Sequence, residues 1–351
     1  MNNNKGAKPE VCIILVNFNG WQDTLECVES LLSLTYPNFR IIIIDNGSTD
    51  SSVQEIINWA AEKLPVLVNQ NNNKIAVNQK QIVFKHIVDT EITSGIARCV
   101  VSKEIVLIAS KVNLGFAGGN NIGTNYALAA SDVAYVWYLN NDTVADTNAL
   151  DALINYFEDN PFLGTRLGIV GSKLRYYHNR KVIQAIGGFY NKWFAYTKHV
   201  GTNELDVGQY DYGRPLPKID YVVGASMLVS IEFIQQVGLM NPDYFLYFEE
   251  IDWITRGQAL GFTYAYCANS LIYHKEGQST GGNSNIQNKS YIADFYGVKN
   301  RIKFTRKFYP GYLFTVYLSL IGGMINRIKR KQYKRVVMIA KIILNSLISS
   351  K

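Results

Sequence analysis

Two clusters of acids and amides, each directly after an apolar run, are the residues of this chain best suited to chemistry. Residues 138–142 read YLNND and end at Asp142, and the isoleucine run 41–44 is followed by Asp45 in the segment DNGSTD. Ligands of open α/β sheets bind beyond the carboxyl ends of the strands. Carboxylate and amide oxygens at such positions suit a divalent cation and a polar ligand. The two clusters therefore predict one polar binding site at an edge of a sheet.

A third acidic cluster follows a bulky hydrophobic run. Glu249, Glu250 and Asp252 come directly after residues 245–248, which read FLYF. Carboxylates at a hydrophobic rim can have raised pKa values and serve as general bases. Asp252 lies four residues before Arg256, a spacing that pairs the two side chains along a helix. A solvated helix start explains the two glutamates equally well, so the sequence leaves both interpretations open.

His274 ends an apolar stretch and precedes a glycine-rich segment, residues 275–282. A histidine at the end of a strand can ligate a metal ion. An isolated histidine is more often an ordinary surface or core residue, so His274 alone does not predict a metal site.

The segment 113–123, NLGFAGGNNIG, is a further candidate for ligand binding. Its spacing is not the GxGxxG of dinucleotide loops. Small residues at a helix start still let backbone N–H groups approach a phosphate or a ribose. Tight packing of a helix on a sheet is the alternative interpretation.

The elements that must position these residues alternate along the chain. Apolar runs typical of buried strands alternate with helical segments, which predicts an α/β fold with a doubly wound, mostly parallel sheet and helices on both faces. We expect one large domain, residues 1–308, followed by a helical tail, residues 309–351. Residues 69–104 interrupt the alternation and are interpreted as an inserted hairpin or small subdomain. The predicted strands are residues 11–16, 40–44, 105–109, 133–139, 168–172 and 222–229.

Charge distinguishes the tail from the body. The net charge is +7, and residues 295–351 contain 13 Lys or Arg and no Asp or Glu, which leaves −6 for the first 294 residues. The apolar stretches 312–325 and 336–348 flank a basic cluster, and both are shorter than the ~20 residues of an ordinary membrane span. We expect basic amphipathic helices on an anionic membrane surface. Packing on the body or a contact in a homo-oligomer is the alternative, and no nucleic-acid-binding motif is visible.

Composition bounds the compartment and the size of the core. The chain is 48% hydrophobic, enough for a sizeable core. Its four cysteines are far apart and form no CxxC pair, which favours buried free thiols in a reducing compartment. Residues 1–8 are polar and the first apolar run is short, so we expect no signal peptide.

Taken in order, the segments resemble an inverting glycosyltransferase of family 2 with the GT-A fold, and most closely its bacterial rhamnosyltransferase-like branch. The resemblance runs from Val11 to Phe308, apart from the insert at 69–104. Each motif is weak alone, and the ordered combination is highly specific. The motifs are VNFNG at 16–20, DNGSTD at 45–50, NLGFAGGN at 113–120, LNND at 139–142, GASML at 224–228, FEEID at 248–252 and His274.

For the donor, the resemblance implies a nucleotide-sugar site. Val16 and Phe18 would line the nucleobase pocket, and Asp45 would accept the N–H of a pyrimidine. Asn113 and the loop beyond it, including Gly119, would face the nucleotide. The branch favours dTDP-rhamnose. UDP-hexoses are the alternative, because uracil and thymine share the hydrogen-bonding edge that Asp45 would read.

For the diphosphate, the resemblance implies Mn²⁺ or Mg²⁺ bound by Asp142, with His274 as a further ligand. Asn140 and Asn141 would belong to the same donor site. Many relatives have Asp-x-Asp where this chain has Asn140 in the first position. An amide can still hydrogen-bond ribose or a metal-bound water, but it adds no negative charge. We therefore expect weaker metal binding.

For the reaction, the resemblance implies Glu250 as the catalytic base, at a position that is often Asp, with Glu249 as its neighbour. Trp253 would contact the acceptor sugar, and Gly224 would mark a close approach in the acceptor site. The base would take the proton of the acceptor hydroxyl as its oxygen attacks opposite the leaving diphosphate, so the anomeric centre inverts. The metal would neutralise charge on the departing diphosphate.

Related enzymes often extend glycans built on a polyprenyl diphosphate at the cytoplasmic face of the membrane. The resemblance therefore implies a cytoplasmic, peripheral protein whose tail holds it near a lipid-linked acceptor. The first alternative function is a non-catalytic GT-A-fold module that binds a sugar or a protein partner, which Asn140 makes conceivable. The second is a nucleotidyltransferase, and the absence of a basic residue from segment 17–21 argues against it.

Overall fold

Five parallel strands form the half of the main sheet that carries the predicted donor residues. They lie in the order β3 (Ile82–Val88), β4 (Lys103–Ser110), β2 (Phe39–Asn46), β1 (Glu10–Asn17) and β5 (Val133–Asn140). The central strands are buried on both faces, which is why they read as continuous apolar runs. The computed structural model describes residues 8–64, 82–88, 103–129, 132–159, 166–212, 218–275 and 290–348.

Helices cover both faces of this sheet, and the predicted α/β fold is confirmed. Each layer packs an apolar helix face on the sheet. One layer consists of α1 (Trp21–Leu32), α2 (Ser52–Lys63) and α4 (Ala149–Asp159). The other consists of α3 (Gly115–Leu128), α5 (Ile231–Val237) and α6 (Glu249–Ala259).

Beyond β5 the sheet continues with antiparallel pairs. β12 (Ser226–Ser230) lies between β5 and β7 (Arg166–Tyr176), and β8 (Asn179–Ala185) follows β7. β13 (Phe262–His274) runs parallel to β7 and antiparallel to the short β6 (Thr143–Ala145). The pairing of β13 with β6 places the end of β13 beside the segment that follows β5. At the far edge β11 (Glu204–Leu205) pairs with β8.

The structure revises two details of the sequence interpretation. Residues 82–88 are an edge strand parallel to β4, so this part of the 69–104 interruption extends the main sheet. Residues 69–81 and 89–102 lie outside the described residues, and the inserted subdomain stays a prediction. The strand predicted at 222–229 begins only at Ser226, and Gly224 lies in the turn before it. The residues just before Ser226 form a turn, so the strand is shorter than the apolar run predicted.

The predicted helical tail is present, and it forms one unit with the helix before it. α7 (Tyr291–Phe308), α8 (Leu313–Lys329) and α9 (Tyr333–Ile348) pack around a small apolar core. A separate hairpin of β9 (Gly188–Asn191) and β10 (Tyr196–His199) contributes Ala195 to that core. In the part of the chain that the structure describes, no helix has the length and apolarity needed to cross a membrane.

Candidate active site

Asp142 and His274 meet at the carboxyl edge of the parallel strands. Asp142 follows β5 directly, and the antiparallel pairing of β13 with β6 sets His274 opposite Thr143. The distance from His274 Nε2 to Asp142 Oδ1 is 3.0 Å. Burial is the largest single influence on Asp142 and favours its protonated form, but the charge and hydrogen bond of His274, a backbone hydrogen bond and the charge of Lys275 together hold the pKa of Asp142 below its usual range. Asp142 is therefore ionised at neutral pH.

Gln184 of β8 sets the orientation of the His274 ring. Its Oε1 lies 2.9 Å from His274 Nδ1. An amide oxygen only accepts hydrogen bonds, so in this arrangement Nδ1 carries a proton and donates it to Gln184. Histidine ligands of metals are commonly held by such a partner on the second ring nitrogen. Asn140 Nδ2 lies 3.3 Å from the same Nε2.

This donor set fits a divalent cation that the nucleotide helps to bind. A carboxylate and an imidazole with a fixed tautomer suit Mn²⁺ or Mg²⁺. Over the described ranges, no group of three or more His, Cys, Asp and Glu residues is assembled. The remaining ligands would have to be diphosphate oxygens and water. Asn140, in place of an acid, is one reason why the protein contributes so few charged ligands.

Asp45 heads a network of hydrogen bonds at the ends of β1 and β2. It is 2% exposed, and its Oδ1 accepts from Asn17 Nδ2 at 2.7 Å and from Ser48 Oγ at 2.6 Å. Its Oδ2 accepts from the Ser48 backbone N–H at 3.1 Å. A carboxylate offers about four acceptor positions, so these three bonds fix Asp45 and leave room for one further donor. That remaining position is compatible with the predicted contact to a pyrimidine N–H.

Asn141 lies behind the site and supports α1. Its Nδ2 donates to Thr24 Oγ1 at 2.9 Å, and Thr24 Oγ1 donates to Asn17 Oδ1 at 2.9 Å. Asn141 is 4% exposed. These bonds give it a supporting position, and its contact with the nucleotide sugar stays a prediction.

Val16, Phe18 and Gly119 lie where β1 ends and α3 begins. Val16 and Phe18 are half-buried, as side chains lining a pocket would be. Gly119 is buried, and a Cβ built there would lie 2.8 Å from Val16 Cγ1. Close packing of α3 on β1 therefore accounts for this glycine, and no nucleotide contact is needed to explain it.

Asn46 ties the glycine-rich loop to the end of β2. Its Nδ2 donates to Asn113 Oδ1 at 3.1 Å and to the Gly115 carbonyl at 3.0 Å, and its Oδ1 accepts from the Leu114 N–H at 3.0 Å. Asn113 Oδ1 also accepts from the Gly115 N–H at 2.8 Å. Asn113 is thus held in a fixed loop beside Asp45.

Gly115 joins this donor loop to the loop that carries the glutamates. Its φ is +73°, and a Cβ built there would lie 2.2 Å from the carbonyl oxygen of Phe245. The next residue, Phe116, donates its N–H to the same carbonyl at 2.7 Å. Only glycine allows both the left-handed conformation and this close approach.

Glu249 and Glu250 form a pair of carboxyls at the start of α6, beyond this joint. Burial raises the pKa of Glu250 to about 7, while part of its side chain stays accessible to solvent. Glu249 is 4% exposed, and burial, reinforced by the charge of Glu250, raises its pKa well above the usual range. Its Oε2 has no hydrogen-bond partner among the described residues. Glu249 is therefore protonated beside Glu250, whose pKa lies near neutral pH.

The loop before the pair has a strained backbone that Asn300 stabilises. Phe245, Tyr247 and Phe248 have φ values of 61°, 69° and 76°, which cost about 1–3 kcal/mol each for non-glycine residues. Asn300 of α7 is fully buried, and its Nδ2 lies 2.8, 2.8 and 3.0 Å from the carbonyl oxygens of residues 244, 246 and 247. α7 thus holds the glutamates in place.

Trp253 is not positioned to contact an acceptor sugar, and that expectation is wrong. It is 0% exposed, and its Nε1 donates to the Gly238 carbonyl at 2.7 Å. Its ring packs edge-on against Tyr138 and Phe233. Trp253 therefore faces the sheet and anchors α6.

The turn that contains Gly224 connects the two parts of the site. Asn140 donates its backbone N–H to the Ala225 carbonyl at 3.0 Å. A Cβ built at Gly224 would meet the Phe116 ring at 3.8 Å, an ordinary contact. Gly224 therefore lies between the metal side and the base side of the site, and its role towards the acceptor stays a prediction.

The residues that the sequence interpretation missed are amides that support the site. Asn46, Gln184 and Asn300 act through hydrogen bonds to residues far away in the chain. Asn46 follows Asp45 and could have been noticed by its position after the strand. Gln184 and Asn300 lie within ordinary strand and helix sequences that carry no such indication.

Comparison with known proteins places this geometry in a family. The chain matches the family model described as glycosyl transferase family 2 over residues 12–85 and 89–211, more than half its length. The chain therefore belongs to glycosyltransferase family 2, and the fold is of the GT-A type. A hexosyltransferase of low-salt glycan biosynthesis, Agl10 of Haloferax volcanii, is 23% identical over 181 residues, which cover 52% of this chain and 55% of that protein. The chain thus spans about half the length of this curated relative.

Two solved structures share the fold. The mannosyltransferase PcManGT from Pyrobaculum calidifontis, in complex with GDP-Man and Mn²⁺, has a TM-score of 0.51 at 12% identity and covers 99% of this chain and 89% of its own. GalNAc-T7 with UDP, GalNAc and Mn²⁺ has a TM-score of 0.53 at 15% identity, over 88% of this chain and 49% of its own. At these identities the likeness shows a common fold.

Proposed function

We propose that this protein is an inverting, metal-dependent glycosyltransferase that moves a sugar from a nucleotide-sugar donor to a hydroxyl of a growing glycan. The observation that carries the proposal is the Glu249–Glu250 pair, in which Glu250 has a pKa of about 7 and is joined through Gly115 to the donor loop. A general base is most effective when its pKa lies near the working pH. Family membership supports sugar transfer as the reaction class.

Glu250 would take the proton from the acceptor hydroxyl as that oxygen attacks the sugar. Glu249 is held neutral, so it would add no second charge at the attacking oxygen and could donate a hydrogen bond to the acceptor. With no enzyme nucleophile involved, a single displacement inverts the anomeric centre. Asn300 would keep the base in position, because its Nδ2 holds the backbone carbonyls of the loop that carries Glu250.

Asp142 and His274 would hold Mn²⁺ or Mg²⁺ at the diphosphate. The ion would supply positive charge that stabilises the departing diphosphate. Gln184 keeps His274 in the ligating tautomer, and Asp142 is ionised at neutral pH. The carboxylate and the imidazole would therefore already be in the form that binds the ion when the donor arrives.

Asp45 would select a pyrimidine nucleotide. Its one open acceptor position suits the N–H that uracil and thymine share. We propose dTDP-rhamnose or a UDP-hexose as donor.

We further propose that the protein works at the cytoplasmic face of the membrane, on an acceptor linked to polyprenyl diphosphate. On α8 an apolar stripe is exposed at spacings of four and three residues: Phe314, Leu318, Ile321 and Ile325 are 46–71% exposed. Residues 295–351 contain 13 basic and no acidic residues. An apolar stripe with basic surroundings suits an anionic bilayer surface.

The test is calorimetric titration of dTDP and UDP, with and without Mn²⁺, followed by transfer assays. We expect metal-dependent nucleotide binding that Asp142→Ala abolishes, and transfer that Glu250→Gln abolishes while nucleotide binding persists. Asp159→Ala, at an exposed acid of α4, is the matched control. Full transfer activity in both site variants would overturn the proposal. Nucleotide binding without any transfer would favour the non-catalytic module.

A further inference from the structure

The β9–β10 hairpin exposes an aromatic tip directly beside α8. Trp193 is 53% exposed and Phe194 is 45% exposed. Asn191 Oδ1 accepts the backbone N–H groups of both, at 3.0 and 3.1 Å, and so fixes the turn. Large exposed aromatics on a fixed turn are unusual at a free surface and mark an interaction site when they continue into a larger apolar patch.

The hairpin tip is anchored on the C-terminal helices. Ala195 is 0% exposed and lies in the small core that α7, α8 and α9 share. Arg301 donates to the Phe194 carbonyl at 2.5 Å, and Thr315 donates to the Trp193 carbonyl. The Trp193 ring lies 4.7 Å, edge-on, from the Tyr312 ring. The tip is therefore packed directly against α8.

The tip packs against the same helix that carries the exposed apolar stripe. Thr315, which bonds the hairpin, directly follows Phe314, the first residue of the exposed stripe on α8 and 71% exposed. Lys192 and Lys198 are exposed on the hairpin, and residues 188–203 contain no acid. We call Trp193, Phe194, Phe314 and Leu318 the aromatic docking surface.

The base of the same hairpin reaches the catalytic side. Gly188 exchanges backbone hydrogen bonds with Tyr221, at 2.9 and 3.2 Å. Tyr190 of β9 packs edge-on against Phe248, the residue directly before the glutamate pair, with ring centroids 6.3 Å apart. The four residues of β9 span about 13 Å at about 3.3 Å per residue. The hairpin therefore links the surroundings of Glu250 to the aromatic tip over roughly this distance.

We propose that the aromatic docking surface inserts into the interfacial region of an anionic lipid bilayer and so holds the base of the hairpin, and with it the side of the protein that carries Glu250, close to the membrane. This inference rests on the proposed function, since a lipid-linked acceptor gives the orientation its purpose. Tryptophan and phenylalanine prefer the boundary between headgroups and acyl chains, and nearby lysines favour anionic lipids. We favour an anionic bilayer over a protein partner because the C-terminal helices beside this surface are strongly basic.

The experiment measures binding of the full chain to phosphatidylcholine vesicles with and without phosphatidylglycerol, and quenching of tryptophan fluorescence by brominated acyl chains. Of the five tryptophans, Trp59, Trp137 and Trp253 are buried and Trp21 is half-buried. We expect quenching only with anionic vesicles. Trp193→Phe should retain vesicle binding and lose most of the quenching.

The double variant Trp193→Ser with Phe194→Ser should bind anionic vesicles at least tenfold more weakly and keep wild-type nucleotide binding. Val207→Ser, at a residue 73% exposed on another part of the surface, is the matched control and should bind vesicles normally. Unchanged vesicle binding in the double variant, or equal binding to neutral vesicles, would overturn the inference. So would a change in oligomeric state, which would assign the surface to a second copy of the chain. Normal vesicle binding of a protein that binds no nucleotide would instead contradict the proposed function alone.

Discussion

Replacing Glu250 with Gln should destroy activity and stabilise the protein, and the second effect should depend on pH. Burial raises the pKa of Glu250 from 4.5 to about 7, so the folded state favours the protonated acid. A folded-state pKa above the unfolded one means that stability is full below about pH 4.5 and is lost as the pH rises through about 7. Gln is always neutral and has nearly the same shape, so the variant avoids this loss.

The magnitude follows from the size of the pKa change. A rise of about 2.5 units corresponds to at most about 3.4 kcal/mol at pH 8, at 1.36 kcal/mol per unit. Because part of the side chain is accessible, we expect about 1–3 kcal/mol, or a rise in Tm of about 2–6 °C at pH 8. At pH 5 the two proteins should have nearly equal Tm. Transfer activity should fall about 10²–10⁴-fold in the variant.

The assay is thermal unfolding of wild type and Glu250→Gln at pH 5 and pH 8, alongside transfer rates. Glu62→Gln, at an exposed glutamate of α2, is the control and should shift Tm by the same small amount at both pH values. The reasoning is refuted if Glu250→Gln changes Tm equally at pH 5 and pH 8, or destabilises the protein at pH 8. In the wild type, kcat/KM should fall about tenfold per pH unit below about pH 7.

Three further substitutions test the supports of the site. Gly115→Ala should lower kcat at least tenfold, because its Cβ would collide with the Phe245 carbonyl, whereas Gly297→Ala, with open space around it, should leave kcat unchanged; equal effects of the two would contradict this role. Asn300→Ala removes an amide whose two N–H groups are shared among three carbonyls, so urea unfolding should show a loss of about 2–4 kcal/mol and kcat should fall more than donor affinity; an unchanged kcat would reduce Asn300 to a packing residue. Gln184→Ala should weaken Mn²⁺ binding about 10–100-fold, and identical titration curves for wild type and variant would show that the His274 tautomer is fixed by other contacts.

The sequence predicted well those features that depend on neighbours in the chain. The apolar runs of β1, β2 and β5 are buried on both faces of a sheet, and buried parallel strands have that pattern wherever they occur. The thiols Cys12, Cys27 and Cys267 are free and buried, as expected, while Cys99 lies outside the described residues. The helical tail is also present. Its amphipathic pattern could indicate an exposed stripe but not which neighbours bury the other side.

Predictions failed where a side chain's direction depended on packing. Trp253 follows the acidic cluster in sequence, yet its ring is fully buried against Tyr138 and Phe233. The nucleotide contact of Gly119 stays a prediction, and the proximity of Val16 by itself explains why a glycine is there.

The sequence by itself determined the order of strands and helices, the acids at the strand ends and the charge of the tail, because these are properties of short segments and of composition. Only the tertiary structure decided that Gln184 orients His274, that Gly115 meets Phe245, and that Asn300 holds the glutamate loop. Each of these contacts joins residues at least 50 positions apart. Hydrogen-bond geometry and close approach across such separations arise from the packing of whole elements and leave no local pattern in the chain.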